Sequence, residues 1–92
     1  MDINKTIKIN QIHTGFEVKI RNILDVEKVN EFIILKYWNP DRGQKDSKYI
    51  FNTPITWYDK DGNESTDYKK LVDTLSVYAE QTKLKDAIAS LD

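Results

Sequence analysis

One histidine, His13, no cysteine and three glycines are the starting stock for chemistry in this chain. Nucleophilic catalysis needs an activated nucleophile held against a base, and no nucleophile motif or glycine-rich phosphate loop is present. General acid–base work needs two carboxylates in one cleft, and the acidic residues are scattered along the chain with no spacing that pairs them. His13 stands just before a turn and reads as a surface residue. Asp59, Asp61, Asn63 and Glu64 supply oxygen donors, but a calcium loop wants glycine at its sixth position and a bidentate glutamate at its twelfth. Counted from Asp59, Gly62 is fourth and the twelfth residue is Lys70, so the segment reads as a solvated turn. The expectation is a protein that is not an enzyme and holds no metal or cofactor.

Binding chemistry is better represented. Lys8, Lys19 and Arg21 fall opposite Phe16, Val18 and Ile20 in alternating segments, and Lys36 and Trp38 share one parity further on. If these residues continue a single face, cations interleave with a large ring. Single-stranded nucleic acid needs such a face, since cations hold phosphates and rings stack bases. Arg42, Lys45 and Lys48 add possible phosphate contacts around the following turn. Exposed lysines on a strand also serve solubility and edge protection, and an aromatic pair at a strand end also serves rim packing. Phe32 and Ile34 share the parity of Trp38, and an apolar patch on an outward face suits a partner. Leu84, Ile88 and Leu91 form a second apolar stripe, which packs either on this chain or on a second copy.

Four strands and a helical segment must position these residues. Lys5 to Ile12 alternates with period two, and Phe16 to Arg21 does so most cleanly, with His13-Thr14-Gly15 as the turn of a hairpin. From Asn22 to Asn30, Ile23, Leu24, Val26 and Val29 either continue the strand through a bend or form one helical turn; the expectation is strand and then a charged connection through Asp25, Glu27 and Lys28. Glu31 to Trp38 is β-branched and aromatic, and its first half is apolar on both faces, as in a strand covered on both sides. Asn39-Pro40-Asp41-Arg42-Gly43 is a turn, followed by polar loop to Ser47 and a fourth strand from Lys48 to Asn52. Pro54 interrupts pairing, Ile55 to Tyr58 is a short continuation, and Asp59 to Asn63 turns again. Ser65 or Thr66 reads as a helix cap with Asp67 suited to the dipole. Tyr68, Leu71, Leu75, Tyr78 and Ala79 then recur at helical spacing. The phase slips near Thr82, so the helical segment is one bent helix or two pieces. The fold class is α+β, a four-stranded antiparallel sheet (5–58) followed by a C-terminal helix (65–91), β-β-β-β-α, in one domain spanning 1–92.

Size and composition set the frame. A chain of 92 residues buries a modest core. Without cysteine it has no disulfide or thiolate site, which leaves a second subunit as the expected extra support. The absence of cysteine also fits the cytoplasm. The longest apolar run, Phe32 to Leu35, is far short of the ~20 residues of a membrane span. The first residues lack the apolar core of a signal peptide. Net charge is −1, but Lys5 to Lys48 holds nine basic against six acidic residues, and Asp59 to Asp92 holds five against eight. The sheet half is mildly positive and the helical half mildly negative.

The strand Phe32-Ile33-Ile34-Leu35-Lys36-Tyr37-Trp38, ending in an aromatic-Trp pair and running into the Pro- and Gly-bearing turn, resembles the positive cofactor four family of transcriptional coactivators and its bacterial and phage relatives. The later strand with Lys48 is similar, as are the helix with Tyr68, Leu71 and Leu75 and its end at Ala87, Ile88 and Leu91. The resemblance implies a homodimer whose sheets form grooves for single-stranded DNA. It implies that Trp38 stacks on bases and Lys48 contacts the backbone. The chain departs from the family at Leu35, where a basic residue is usual, and in lacking glycine around Ser47-Lys48-Tyr49. It also has extra sequence from Thr53 to Asn63.

Together these readings predict a non-enzymatic single-stranded DNA- or RNA-binding domain acting through Lys19, Arg21, Lys36, Trp38, Arg42, Lys45 and Lys48. Its homodimer interface would draw on Phe32, Ile34, Leu84, Ile88 and Leu91. The rival reading is a small protein-interaction module, such as a phage or mobile-element inhibitor of a host factor.

Overall fold

The computed structural model describes residues 5–11, 14–52 and 54–91. Seven strands and one helix follow in the order β1 (Thr6–Gln11), β2 (Thr14–Lys19), β3 (Ile23–Val29), β4 (Phe32–Asn39), β5 (Gln44–Phe51), β6 (Thr56–Tyr58), β7 (Glu64–Ser65) and α1 (Tyr68–Leu91). The α+β class and the antiparallel pairing agree with the alternation in the sequence. The single four-stranded sheet does not. The strands form two sheets, one ordered β2-β1-β6-β7 and the other β3-β4-β5.

The division arises where β2 ends. Ile20–Asn22 winds into a 3-10 turn, with Ile20 buried and its N–H donating to the Lys5 carbonyl at 3.0 Å. The turn diverts the chain, so Ile23 begins a strand in the second sheet and pairs with Tyr37. The first hairpin has the expected pairing, Ile7 with Val18 and Ile9 with Phe16. Thr14 and Gly15 extend β2 instead of forming the turn. His13 and Ile12 lie outside the described residues. The β3–β4 hairpin closes through Asn30 and Glu31, with Asn30 at φ 53, a left-handed conformation that asparagine tolerates better than most residues.

The polar loop expected to run to Ser47 is strand. Gly43, at φ 62, lets the chain reverse within Pro40–Gly43, so β5 starts at Gln44 in register with Asn39. Past Pro54 the chain leaves the second sheet altogether. Trp57 of β6 pairs with Ile9 of β1, and β7 is added beyond it.

One apolar core is shared by Ile7, Ile9, Val18 and Ile20 from the first sheet side, Ile23, Ile33, Leu35 and Ile50 from the second, and Leu71, Val72, Leu75 and Ala79 from α1. Trp57 lies among them and its ring N–H donates to the Asp67 carbonyl at 3.0 Å. The Tyr68 hydroxyl donates to the Ile50 carbonyl at 3.2 Å. These two bonds tie the start of α1 to both sheets.

Asp67 itself caps α1, because its carboxylate accepts the Lys70 N–H at 3.1 Å. Ser65 supports the cap by accepting the Asp67 N–H at 3.1 Å. This corrects the assignment of the cap to Ser65 or Thr66. The helix is continuous over 24 residues, with no break at Thr82. The Thr82 hydroxyl donates back to the Tyr78 carbonyl, as helical threonines do, and the apolar phase changes because Ala79 is the last buried residue described. No described helix is long and apolar enough to cross a membrane.

Candidate nucleic-acid interface

Trp38 and two cations meet where the chain crosses between the sheets. Lys19 ends β2 with its side chain on the face opposite buried Val18, and the 3-10 turn holds Arg21 outward while Ile20 is buried. Trp38 lies on the outward face of β4, because Leu35 and half-buried Tyr37 take the inward positions. Tyr37 is anchored edge-on to Phe16, ring centroids 5.1 Å apart at 69°. Lys19, Arg21 and Trp38 line one open cleft of about 470 Å³ together with Phe16, Tyr37 and Pro40. Trp38 is 41 % exposed. Neither Lys19 nor Arg21 forms an ion pair among the described residues.

The remaining sequence-selected residues are placed differently. Lys8 and Lys19 share the outward face of the first sheet, whereas Lys36 and Trp38 share the outward face of the second. The continuous face expected from parity is therefore two faces. Parity relates residues within a strand and carries no information across a change of sheet. Lys8 is paired with Glu17 at 3.6 Å and Lys36 with Glu27 at 3.6 Å. Arg42 belongs to a turn clamp: its guanidinium lies 3.3 Å from Asp46, which also accepts from Gln44 at 2.8 Å and Asn39 at 2.9 Å. Lys45 stands beside Trp38 as its cross-strand partner on the same face. Lys48 has the opposite parity. It is half-buried beside Leu35, with its ammonium 5.4 Å from the centre of the Phe16 ring.

Phe32 and Ile34 do lie on the outward face of the second sheet. Phe32 stacks on Tyr49 with centroids 5.5 Å apart and lies tilted at 47° against Phe51 at 5.2 Å. Tyr49 is 52 % exposed and Phe51 is similar. Neither aromatic is among the expected site residues, although the expected strand from Lys48 to Asn52 contains both at one parity. Started at Gln44, its alternation puts Lys45, Ser47, Tyr49 and Phe51 on one face. Leu84 is 63 % exposed on α1. The adjacent Lys83 bonds Asp25 at 3.2 Å, while Phe32 sits against Val29 at the other end of β3. Leu84 and Phe32 therefore do not form one patch. The side chains of Ile88 and Leu91 lie outside the described residues.

Hydrogen bonds set the local electrostatics. Gln44 and Asn39, with Arg42 behind them, hold the Asp46 carboxyl below the usual carboxylate range against a small desolvation cost. Burial, and then the nearby Asp46 charge, push the Tyr37 hydroxyl up. In the β6–β7 turn, the Asn63 and Asp61 backbone N–H groups donate to Asp59 at 2.9 Å and depress it likewise. That carboxylate is the turn's own acceptor. A folded-state value below the unfolded one stabilises above the ordinary carboxylate value of ~4 and is lost as pH falls through the depressed value. The urea midpoint is therefore expected to drop as pH falls below about 5 and through the depressed value, and Asp59→Asn should flatten that drop. Equal pH profiles for the two proteins would contradict it.

Among the described residues no three His, Cys, Asp or Glu side chains group to hold a metal. Compared with protein families, curated proteins and solved structures, the chain gives no match.

Proposed function

We propose that this chain is a non-enzymatic, cytoplasmic single-stranded nucleic-acid-binding domain that works as a homodimer. The observation that carries the reading is the exposed Trp38 ring in one cleft with Lys19 and Arg21, two cations that form no ion pair among the described residues, with Glu17 and Asp41 also on the cleft wall. A base stacks on the indole while the cations take the flanking phosphates, and Lys45 extends the basic edge beside the ring. Lys36 and Arg42 contribute less, because Glu27 and Asp46 already neutralise them. The resemblance to the positive cofactor four family supports the part given to Trp38. It gives Lys48 a backbone contact, whereas Lys48 lies against Phe16, so its contribution is the smaller one.

The test is fluorescence anisotropy of a labelled single-stranded oligonucleotide titrated at several salt concentrations. Each phosphate contact adds about 0.7 to the slope of log affinity against log salt for single strands. The double variant Lys19→Gln/Arg21→Gln is expected to lower that slope by about 1.4, and Lys36→Gln to leave it nearly unchanged. Absence of binding at low salt would sink the proposal. The exposed Tyr49 and Phe51, packed around half-buried Phe32, favour a second reading, a protein-interaction module, which predicts that absence and a stable complex with a protein partner.

A further inference from the structure

Strand β5 ends the second sheet with one edge open. Asn52 donates to the Glu31 carbonyl at 3.1 Å, which continues the β4–β5 register. In an antiparallel ladder the hydrogen-bonded pairs alternate. The N–H and C=O groups of Ile50, Lys48, Asp46 and Gln44 therefore face β4, and those of Lys45, Ser47 and Tyr49 face outward. These three residues are exposed, and no described strand lies beyond them. The edge is long, and among the described residues the charges along it are Lys45 on one face and Asp46 and Lys48 on the other.

The placement of those charges points to an occupant. A two-fold antiparallel pairing of β5 with itself must centre on a residue, so that like faces meet. Centred on Lys48, the ammonium would face its own copy. Centred on Asp46, carboxylate would face carboxylate. Centred on Tyr49, Lys48 would face Ile50 and Asp46 would face Asn52. Centred on Ser47, Asp46 meets Lys48 of the other copy twice, and Lys45 meets Tyr49 twice. Asp46 and Lys48 then fall in non-hydrogen-bonded pairs, where side chains approach most closely, and Ser47 bonds its own copy through its outward N–H and C=O.

We infer that the homodimer forms by antiparallel pairing of two β5 strands about Ser47, giving a six-stranded sheet in the order β3-β4-β5-β5-β4-β3. This rests on the homodimeric part of the proposed function and not on its ligand. A charged edge discourages a foreign neutral strand, while a second copy in this register brings Lys48 opposite Asp46, a carboxylate that Arg42, Gln44 and Asn39 already hold within its own chain. The joined outward face carries Trp38 and Lys45 of one copy in a row with Tyr49 of the other. The nucleic-acid platform is thereby lengthened across the two-fold.

Sedimentation velocity of the full chain without nucleic acid, from micromolar to hundreds of micromolar, reads the mass directly against the 10.8 kDa monomer. A dimer is expected, with its Kd raised on the order of ten- to a hundredfold by Ser47→Pro, which removes an outward N–H and leaves the ladder to β4 intact. Lys48→Asp should weaken it similarly, by setting carboxylate against carboxylate across the two-fold. Amide exchange at Lys45, Ser47 and Tyr49 should slow as concentration rises, which decides the matter if a variant fails to fold. A monomer throughout would overturn the interface and the homodimer together. A dimer indifferent to Ser47→Pro and Lys48→Asp, with those three amides unprotected, would overturn the interface alone. Failure of oligonucleotide binding leaves all of these readings unmoved.

Discussion

Replacing Trp57 with alanine is expected to lower the unfolding free energy by about 3–5 kcal/mol, the usual cost of deleting a large buried ring. The residue is 1 % exposed and occupies the middle of the shared core. It sits on the three-residue strand β6, opposite Ile9, and its ring N–H holds the Asp67 carbonyl at the cap of α1. One side chain thus joins the first sheet to the helix. Domains of this size are stable by only about 5–15 kcal/mol, so the variant should lose much of its folded population. Trp57→Phe separates the contributions. The Asp67 carbonyl also accepts the Leu71 N–H at 3.1 Å, so losing the indole bond leaves that oxygen partnered. The phenylalanine variant should therefore cost only about 1–2 kcal/mol, for lost volume and one hydrogen bond. Urea titrations of the three proteins, followed by far-ultraviolet circular dichroism, measure both values. A cost under about 1 kcal/mol for the alanine variant would mean that Trp57 does not couple helix and sheet.

Trp38→Ala should leave stability nearly unchanged and weaken single-strand binding by about 1–3 kcal/mol, roughly five- to a hundredfold or more in Kd. The contrast with Trp57 follows from position, since Trp38 is 41 % exposed at the surface and Trp57 is enclosed. The chain has two tryptophans. In a Trp57→Phe background Trp38 is therefore the sole indole emitter, and its fluorescence should quench as oligonucleotide saturates the cleft. Quenching lost in step with salt would tie the ring and the phosphate contacts to one event. Unaltered affinity in Trp38→Ala would remove the stacking mechanism and favour a protein partner on the face bearing Phe32 and Tyr49.

Some of this architecture is written locally. Ile7 and Ile9, and Phe16 and Val18, alternate with polar neighbours or glycine, and that alternation determines strand and inward face wherever a sheet covers one side. Pro40 and Gly43 mark a reversal whatever surrounds them, and Leu71, Leu75 and Ala79 recur at the helical period. Parity on β4 alone put Trp38 outward with Phe32 and Ile34. What no local pattern contained is the pairing of Ile9 with Trp57, residues far apart in sequence, which pulls β6 into the first sheet and splits the strands into two. Such contacts leave no periodic mark, because either partner would look the same beside any other strand. The use of each cation was likewise a tertiary outcome. Glu27 on the neighbouring strand neutralises Lys36, the ring of Phe16 from the other sheet lies beneath Lys48, and Lys19 and Arg21 form no ion pair among the described residues. A charge is known from its residue type, but its availability depends on which carboxylates and rings the fold brings within a few ångströms of it.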